Sequence, residues 1–382
     1  MTTDQGANIK KAIELYRHTE KISWLPCSSH KLQLCVYKAL SECKGAKMLI
    51  DKCHKLSTFF RTTSNAMNIL NEEQDKLYKS RLKLLSTTVT RWNSQYEMAR
   101  RVYQINTAIN ATIDRLKSGA IPDGGLRAKD LGSLPLSDSE IAALRETLVL
   151  MKPLADLTHW AGQTENPTIS QIYPRIQEML SAPHNEVSAQ AQELRQSLDR
   201  LLKDGWSLES IPDVVLIAMF LNPACLSQGV LGPVVPGSSG GLRNKAKALV
   251  RDAVMSFLQS ESKEPDQTSQ AGEEDSTFWI IRAVYVTDAY DTRTKGDHKQ
   301  YMDRPHIFWK ERGTGQSTHE MAAIARSYLC VQATSSESER LFSKAGQVLS
   351  ARKTNISDRA FSNIVYFSSF DKLKRLSGWR DE

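Results

Sequence analysis

Near the C-terminal end, the stretch Ala333-Thr334-Ser335-Ser336-Glu337-Ser338-Glu339-Arg340-Leu341-Phe342-Ser343 sets two local signals side by side. Hydroxyl residues with a glutamate three positions on, Thr334 with Glu337 and Ser336 with Glu339, can satisfy the free amides that open a helix. Leu341, Phe342, Ala345, Val348 and Leu349 then fall on one helix face, until Arg352, Lys353, Thr354 and Asn355 interrupt the stripe. Ser357 offers a cap for a second helix, and Ala360, Phe361, Ile364, Val365 and Phe370 give it an apolar face of its own. Two short helices so patterned must bury those faces, and packing on the body of the same chain is the simplest outcome.

That body is large enough to supply a core. At 382 residues, 40% hydrophobic and 24% charged, the chain has the composition of a globular protein of two or three domains. No apolar run approaches membrane-spanning length, and the first residues lack the charged-then-apolar pattern of a secretory signal, so an intracellular protein is expected. Its six cysteines form no C-x-x-C pair and are expected to be reduced thiols. The net charge of +7 is uneven: residues 1–118 hold 20 Lys and Arg against 10 Asp and Glu, while the remainder is close to neutral. Such a basic excess suits a polyanion partner, although a solvated helix face has the same composition.

Asp4 precedes a helical pattern of Ile9, Ala12, Ile13 and Tyr16, where a carboxylate is most simply an N-cap. Residues 22–26 are compatible with a strand, and Cys27-Ser28-Ser29-His30 opens a helix carrying Leu32, Val36, Ala39 and Leu40. Cys27 and His30 could share a zinc ion with Cys53 and His54, but Cys53 and His54 adjoin each other in a helical pattern and diverge by about 100°. Helices continue to about residue 118, interrupted by Thr88-Val89-Thr90-Arg91-Trp92-Asn93-Ser94. Trp92 beside Arg91, Arg100 and Arg101 is either core or a stacking platform for bases. Residues 119–139, 228–241 and 260–276 are expected to be flexible segments, the last of them disordered. Ser137-Asp138-Ser139-Glu140 caps a further helix, Asn166-Pro167-Thr168-Ile169-Ser170 is a turn, and helices are expected near 187–203 and 213–221. No Walker loop, G-x-S-x-G, H-E-x-x-H or dinucleotide fingerprint is present.

Several blocks fall in a familiar order. Asp4-Gln5-Gly6-Ala7-Asn8, Cys27-x-x-His30 followed by Leu-Gln-Leu, Thr90-Arg91-Trp92-Asn93-Ser94, and Tyr328-Leu329-Cys330 leading to Ala333-Thr334-Ser335 and Ser338-Glu339-Arg340-Leu341-Phe342-Ser343 resemble the hAT superfamily of DNA transposases. At Leu221-Asn222-Pro223 the chain departs from the more usual Leu-Asp-Pro. The resemblance implies an α/β, predominantly α fold, in which an RNase H-like core is interrupted by a large all-α insertion and closed by C-terminal dimerisation helices. The implied domains are a truncated core at 1–50, the insertion at 51–305, and a dimerisation region at 306–382 that completes the core.

It further implies that Asp4 and Glu339 are the second and third catalytic acids and metal ligands, with His30 beside the scissile phosphate. Glu337 is set aside because it lies two positions away on the helix. In such enzymes three carboxylates hold two divalent cations, Mg2+ or Mn2+. The first acid is expected tens of residues before Asp4, where this chain has only three residues, so a truncated or domesticated protein with no cofactor of its own is expected. Arg91 and Trp92 are the candidate DNA contacts. Leu341, Phe342, Val348, Leu349, Phe361, Ile364 and Val365 are the candidate dimerisation residues, which makes a second copy the first expected partner, DNA the second, and the nucleus the expected location.

Overall fold

The computed structural model describes all residues except 1, 5, 18–23, 88–91, 119–131, 164–165, 184, 187, 233–240, 262–281, 292–297, 313–318, 350–356, 358, 365 and 367–382. Arg91, Val365, Phe370, the interruption at 352–355, and most of the expected flexible segments (119–131, 233–240 and 262–276) therefore lie outside the described residues.

The fold is predominantly helical. The strands among the described residues are β1 (Thr2–Thr3) and β2 (Leu25–Pro26), which run parallel with Thr2 opposite Leu25 and Thr3 opposite Pro26. A parallel pair needs a crossover rather than a hairpin, and helix α1 (Ala7–Arg17) lies in that connection. The chain then continues through α2 (Ser28–Glu42), α3 (Lys44–Thr62), α4 (Ser64–Leu77), α5 (Trp92–Gln104) and α6 (Asn106–Lys117). After these come α7 (Asp138–Ala161), α8 (Ile172–Leu180), α9 (Ala189–Gly205), α10 (Asp213–Leu221), α11 (Pro223–Ser227) and α12 (Leu242–Glu261). The last are α13 (Pro305–Arg312), α14 (His319–Leu329) and α15 (Ser336–Val348), with residues 282–291 and 359–364 also helical. Among the described residues no helix is long and apolar enough to cross a membrane.

The chain divides into two compact units. One comprises residues 31–159 and 178–207. Here α3 packs on α4, α5 and α9, and α4 on α6, around Leu56, Phe60, Leu70, Met98, Ile105, Ile109 and Ile113. The helix start read at Ser137 is present: the Ser137 hydroxyl accepts from the Glu140 amide at 3.2 Å, and the Glu140 carboxylate accepts from the Ser137 amide at 2.8 Å. Cys53 is fully buried and its thiol is pushed up to about 12 by burial, whereas His54 is exposed, so the two do face different ways.

The other unit comprises residues 1–30, 160–177 and 208–382. Its centre is α10, which is apolar on every side after Asp213, with Val215 through Leu221 all buried. A helix without a polar face must be enclosed, and α12 and α14 pack against it. Phe220, Tyr290, Phe308 and Trp309 form an aromatic cluster beyond its end, and the Trp309 indole donates to the Leu221 carbonyl at 2.8 Å. Arg243 and Lys247 of α12 grip Asp291 at 2.7 and 3.1 Å, and Arg251 grips Asp288, so the basic face of α12 is neutralised by the helical residues 282–291.

Asn222, where an aspartate is more usual, has a structural reason. It is fully buried; its side-chain oxygen accepts from the Ala224 amide at 3.1 Å, and its NH2 group donates to the Ser170 hydroxyl at 3.0 Å and the Met302 carbonyl at 3.2 Å. A carboxylate could accept the first of these but could donate neither of the others. Asn222→Asp is therefore expected to lower stability by about 2–4 kcal/mol at neutral pH, since it sets a buried negative oxygen against a carbonyl. Equilibrium denaturation of the two proteins checks this, and unchanged midpoints would contradict it.

Candidate functional site

The candidate site grows from a hydrogen-bonded junction between the first and last parts of one unit. Thr3 ends β1, and its carbonyl accepts from the Cys27 amide at 2.7 Å while its hydroxyl accepts from the Trp24 indole at 2.8 Å. Ser28, the first residue of α2, donates its amide to the Ala333 carbonyl at 2.9 Å, and the Ser335 amide points at the Cys27 sulfur at 3.3 Å. The Thr2 hydroxyl reaches the Gln332 carbonyl at 2.8 Å. Thr168 adds a third segment: its hydroxyl accepts from the Ala333 amide at 2.9 Å and donates to the Gln332 side chain at 3.0 Å. The Thr334 hydroxyl donates to the Ala161 carbonyl at 3.1 Å, and Arg340 donates to Gly162 at 3.0 Å. Ala333, Thr334 and Ser335 are all buried, so these bonds are what make the turn before α15 tolerable in the interior.

Each catalytic candidate leaves this junction on a different element. Asp4 follows Thr3 directly, His30 stands in the first turn of α2, and Glu339 stands one turn into α15. Asp4 and Glu339 are exposed and His30 is half-buried. Asp4 does not cap α1: its carboxylate accepts the Gly6 amide at 3.0 Å, and the first helical bond, from Lys10, goes to Gly6. The expected capping pairs of α15 are also replaced. Ser335 is the N-cap, and its hydroxyl donates to the Glu339 carboxylate at 3.0 Å, because Thr334 is turned inward to Ala161.

These residues do not fit a two-metal centre. Two divalent cations call for several convergent oxygen ligands, and among the described residues no group of three His, Cys, Asp or Glu is placed to hold a metal ion. The junction offers the two carboxylates, each already accepting an internal hydrogen bond.

Of the two roles left open for Trp92, the structure has the buried one. Its residue is 2% exposed, beside Tyr96 at 6.5 Å between ring centroids. Trp92, Tyr96, Ala99 and Val102 form the inward face of α5, a spacing visible in the sequence as a helical stripe. Arg100 pairs with Glu97 at 2.6 Å and Arg101 donates to the Lys83 carbonyl at 2.6 Å, so neither is poised over the indole as a stacking platform requires.

The C-terminal helices keep their apolar faces outward. No residue of α15 is buried; Phe342 is 73% and Leu349 55% exposed, with Leu341, Ala345 and Val348 half-covered. Ser357 starts the following helix as its position suggested, its hydroxyl accepting from the Ala360 amide at 3.3 Å. Phe361 there is half-covered and Ile364 is 45% exposed. Two exposed residues of this C-terminal region were not among the expected dimerisation residues. Gly346 sits between Phe342 and Leu349 at helical spacing with open space where a side chain would begin, and Tyr366 is 62% exposed.

The junction can be tested through Thr168, which is fully buried. Thr168→Val keeps the shape but leaves the Ala333 amide without its acceptor, and is expected to cost about 1–3 kcal/mol. Thermal unfolding checks this, and a variant as stable as the parent would show that the junction is not a stabilising element.

Two family comparisons bear on this layout. Residues 25–122 match the ZBED1 RNase-like helical domain, and residues 297–368 match the hAT family C-terminal dimerisation region. No curated protein sequence matches the chain. The first match takes in β2 and α2 through α6, and the second takes in α13 to α15 with the outward-facing stripe. With the motif order from Asp4 to Ser343, they support an hAT-family transposase-related protein.

Proposed function

We propose that the activity this chain retains is self-association through α15 and the helical residues that follow, without DNA-strand cleavage of its own. The observation that carries the reading is the exposed stripe of Phe342, Gly346 and Leu349, with Ile364 exposed further on, inside the region that matches the dimerisation model. Burying a phenylalanine or leucine side chain contributes about 1.5–3 kcal/mol, so a two-fold contact that covers each stripe with its counterpart is a favourable way to remove these side chains from water. Gly346 lets the partner helix approach closely at the middle of the stripe.

In the same proposal, the parallel β1–β2 pair with its α1 crossover is the remaining piece of an RNase H-like core, and the helices that follow are its insertion. The basic excess of residues 1–118 makes DNA a second partner, and the nucleus the place where the two meet. A second reading, part of an active transposase using Mg2+ or Mn2+, is favoured by one observation: Asp4, His30 and Glu339 issue from a single junction. It requires a further acid supplied from outside the described residues. Metal-dependent cleavage of a transposon-end duplex by this chain alone would favour that reading over ours.

The test of self-association is a pair of changes on the exposed stripe. The double variant Phe342→Ser and Leu349→Ser is expected to weaken dimerisation at least about thirtyfold, roughly 2 kcal/mol, in sedimentation equilibrium, with helical content unchanged. A parent protein that stays monomeric at tens of micromolar would overturn the proposal.

A further inference from the structure

One cavity lies apart from the exposed stripe and is lined by none of Asp4, His30 and Glu339. It opens in the unit built around α10, between α13 and α14 and beside the Asn166–Pro167 turn, with a volume of about 540 Å3. That falls within the range of small-molecule sites, which are about 300–1,000 Å3. His306 and Lys310 stand one turn apart on α13, and Arg326 lies on α14 with Cys330 just past its end, so these two packed helices bring three cationic or protonatable groups and a thiol to the lining of one space. None of the described lining residues is acidic.

Basic residues on a protein surface are ordinarily solvated or paired, and several of those in this unit are paired. Arg243, Lys247 and Arg251 are held by Asp288 and Asp291, Arg175 by Asp303, and Arg282 by Glu320. Lys310 and Arg326 make no ion pair among the described residues. Partial enclosure of the ring, with the charges of Arg304 and Lys310, lowers the pKa of His306 although the residue as a whole is exposed, as a site of positive potential would.

The remaining lining has a different character. Pro167, Ala325, Leu329 and the edge of Trp309 make an apolar floor. The Asn166 side-chain amide, at the rim, has no hydrogen-bond partner among the described residues, so it can offer a donor and an acceptor together. Gln332, by contrast, is spent on Thr168 and on the Asn166 carbonyl.

We propose that this cavity is a binding site for a nucleoside phosphate, with Arg326, Lys310 and His306 holding the phosphate, the apolar floor covering the base, and Asn166 reading its edge. A guanidinium fork and an ammonium lining one cavity with no carboxylate among the described lining residues suit a multiply charged oxyanion better than a single carboxylate. The apolar floor has no use for inorganic phosphate. A free nucleotide and a nucleotide unit of a single DNA strand share this chemistry. The inference does not rest on self-association, because no residue of the exposed stripe lines the cavity.

Cys330 provides the readout. Of the six cysteines it is the exposed one; Cys27, Cys43, Cys53 and Cys225 are buried and Cys35 is half-buried. Alkylation of Cys330 in the full chain, followed by peptide mass spectrometry, should be measured with adenosine and guanosine monophosphates, a short single-stranded oligonucleotide, the neutral nucleosides and inorganic phosphate. A nucleotide at about five times its Kd is expected to slow the reaction about sixfold by mass action, with the protection lost in Arg326→Gln and Lys310→Gln. Protection by mononucleotides assigns the free ligand; protection by the oligonucleotide alone assigns a strand. Equal protection by inorganic phosphate, equal protection by neutral nucleosides, no protection at all, or protection that survives both substitutions would overturn the proposal.

Discussion

Everything proposed for the catalytic candidates depends on one set of bonds, those that tie Cys27 and Ser28 to Ala333 and Ser335. The contact between the Ser335 amide and the Cys27 sulfur crosses 308 positions of sequence. Bringing such distant segments together has an entropic cost that grows only slowly with loop length, so a handful of well-satisfied buried groups can hold them once the intervening helices have folded. A two-residue parallel strand pair has no stability of its own. β1 and β2 persist because Thr2 and Thr3 are also bonded to Gln332, Cys27 and Trp24. The same bonds decide where Asp4 and Glu339 emerge.

Apolar surface is handled differently at the two ends of this unit. α10 is uniformly apolar and is enclosed, while α15 is amphipathic and leaves its apolar stripe in solvent. The difference follows from what precedes each helix. Thr334 and Ser335 are anchored inward and consume the polar partners at the start of α15, and Phe342 and Leu349 beyond them stay exposed. A second copy of the same surface is the natural cover.

Charge follows a comparable division. The basic residues of α12 are neutralised within the fold and contribute rigidity. Lys310 and Arg326, which make no ion pair among the described residues, line a cavity whose described lining holds no acid. The stripe and most of the cavity's lining lie within the segment matching the dimerisation region, yet no residue of the stripe lines the cavity.

What could be read from the sequence was local in origin. The helices at 213–221 and near 187–203, the Ser137–Glu140 capping box and the Ser357 cap follow from periodicity and from side chains that bond their own neighbours, and they stand in the structure as Asp213–Leu221, Ala189–Gly205 and the bonds named above. The motif order carried the family for the same reason: residues that recur at set spacing survive without reference to the rest of the chain. Tertiary structure alone decided the rest. Trp92 carries the same local signal whether it stacks or packs, and the company of Tyr96, Ala99 and Val102 against other helices settled it inward. The capping of α15 moved from the expected pairs to Ser335 because Thr334 found the Ala161 carbonyl, a partner 173 positions away that no local pattern encodes. Asn222 read as an unexplained departure until Ser170 and Met302 supplied acceptors for its amide. The basic cavity was invisible for the same reason, since His306, Lys310 and Arg326 become one feature only when α13 and α14 pack together.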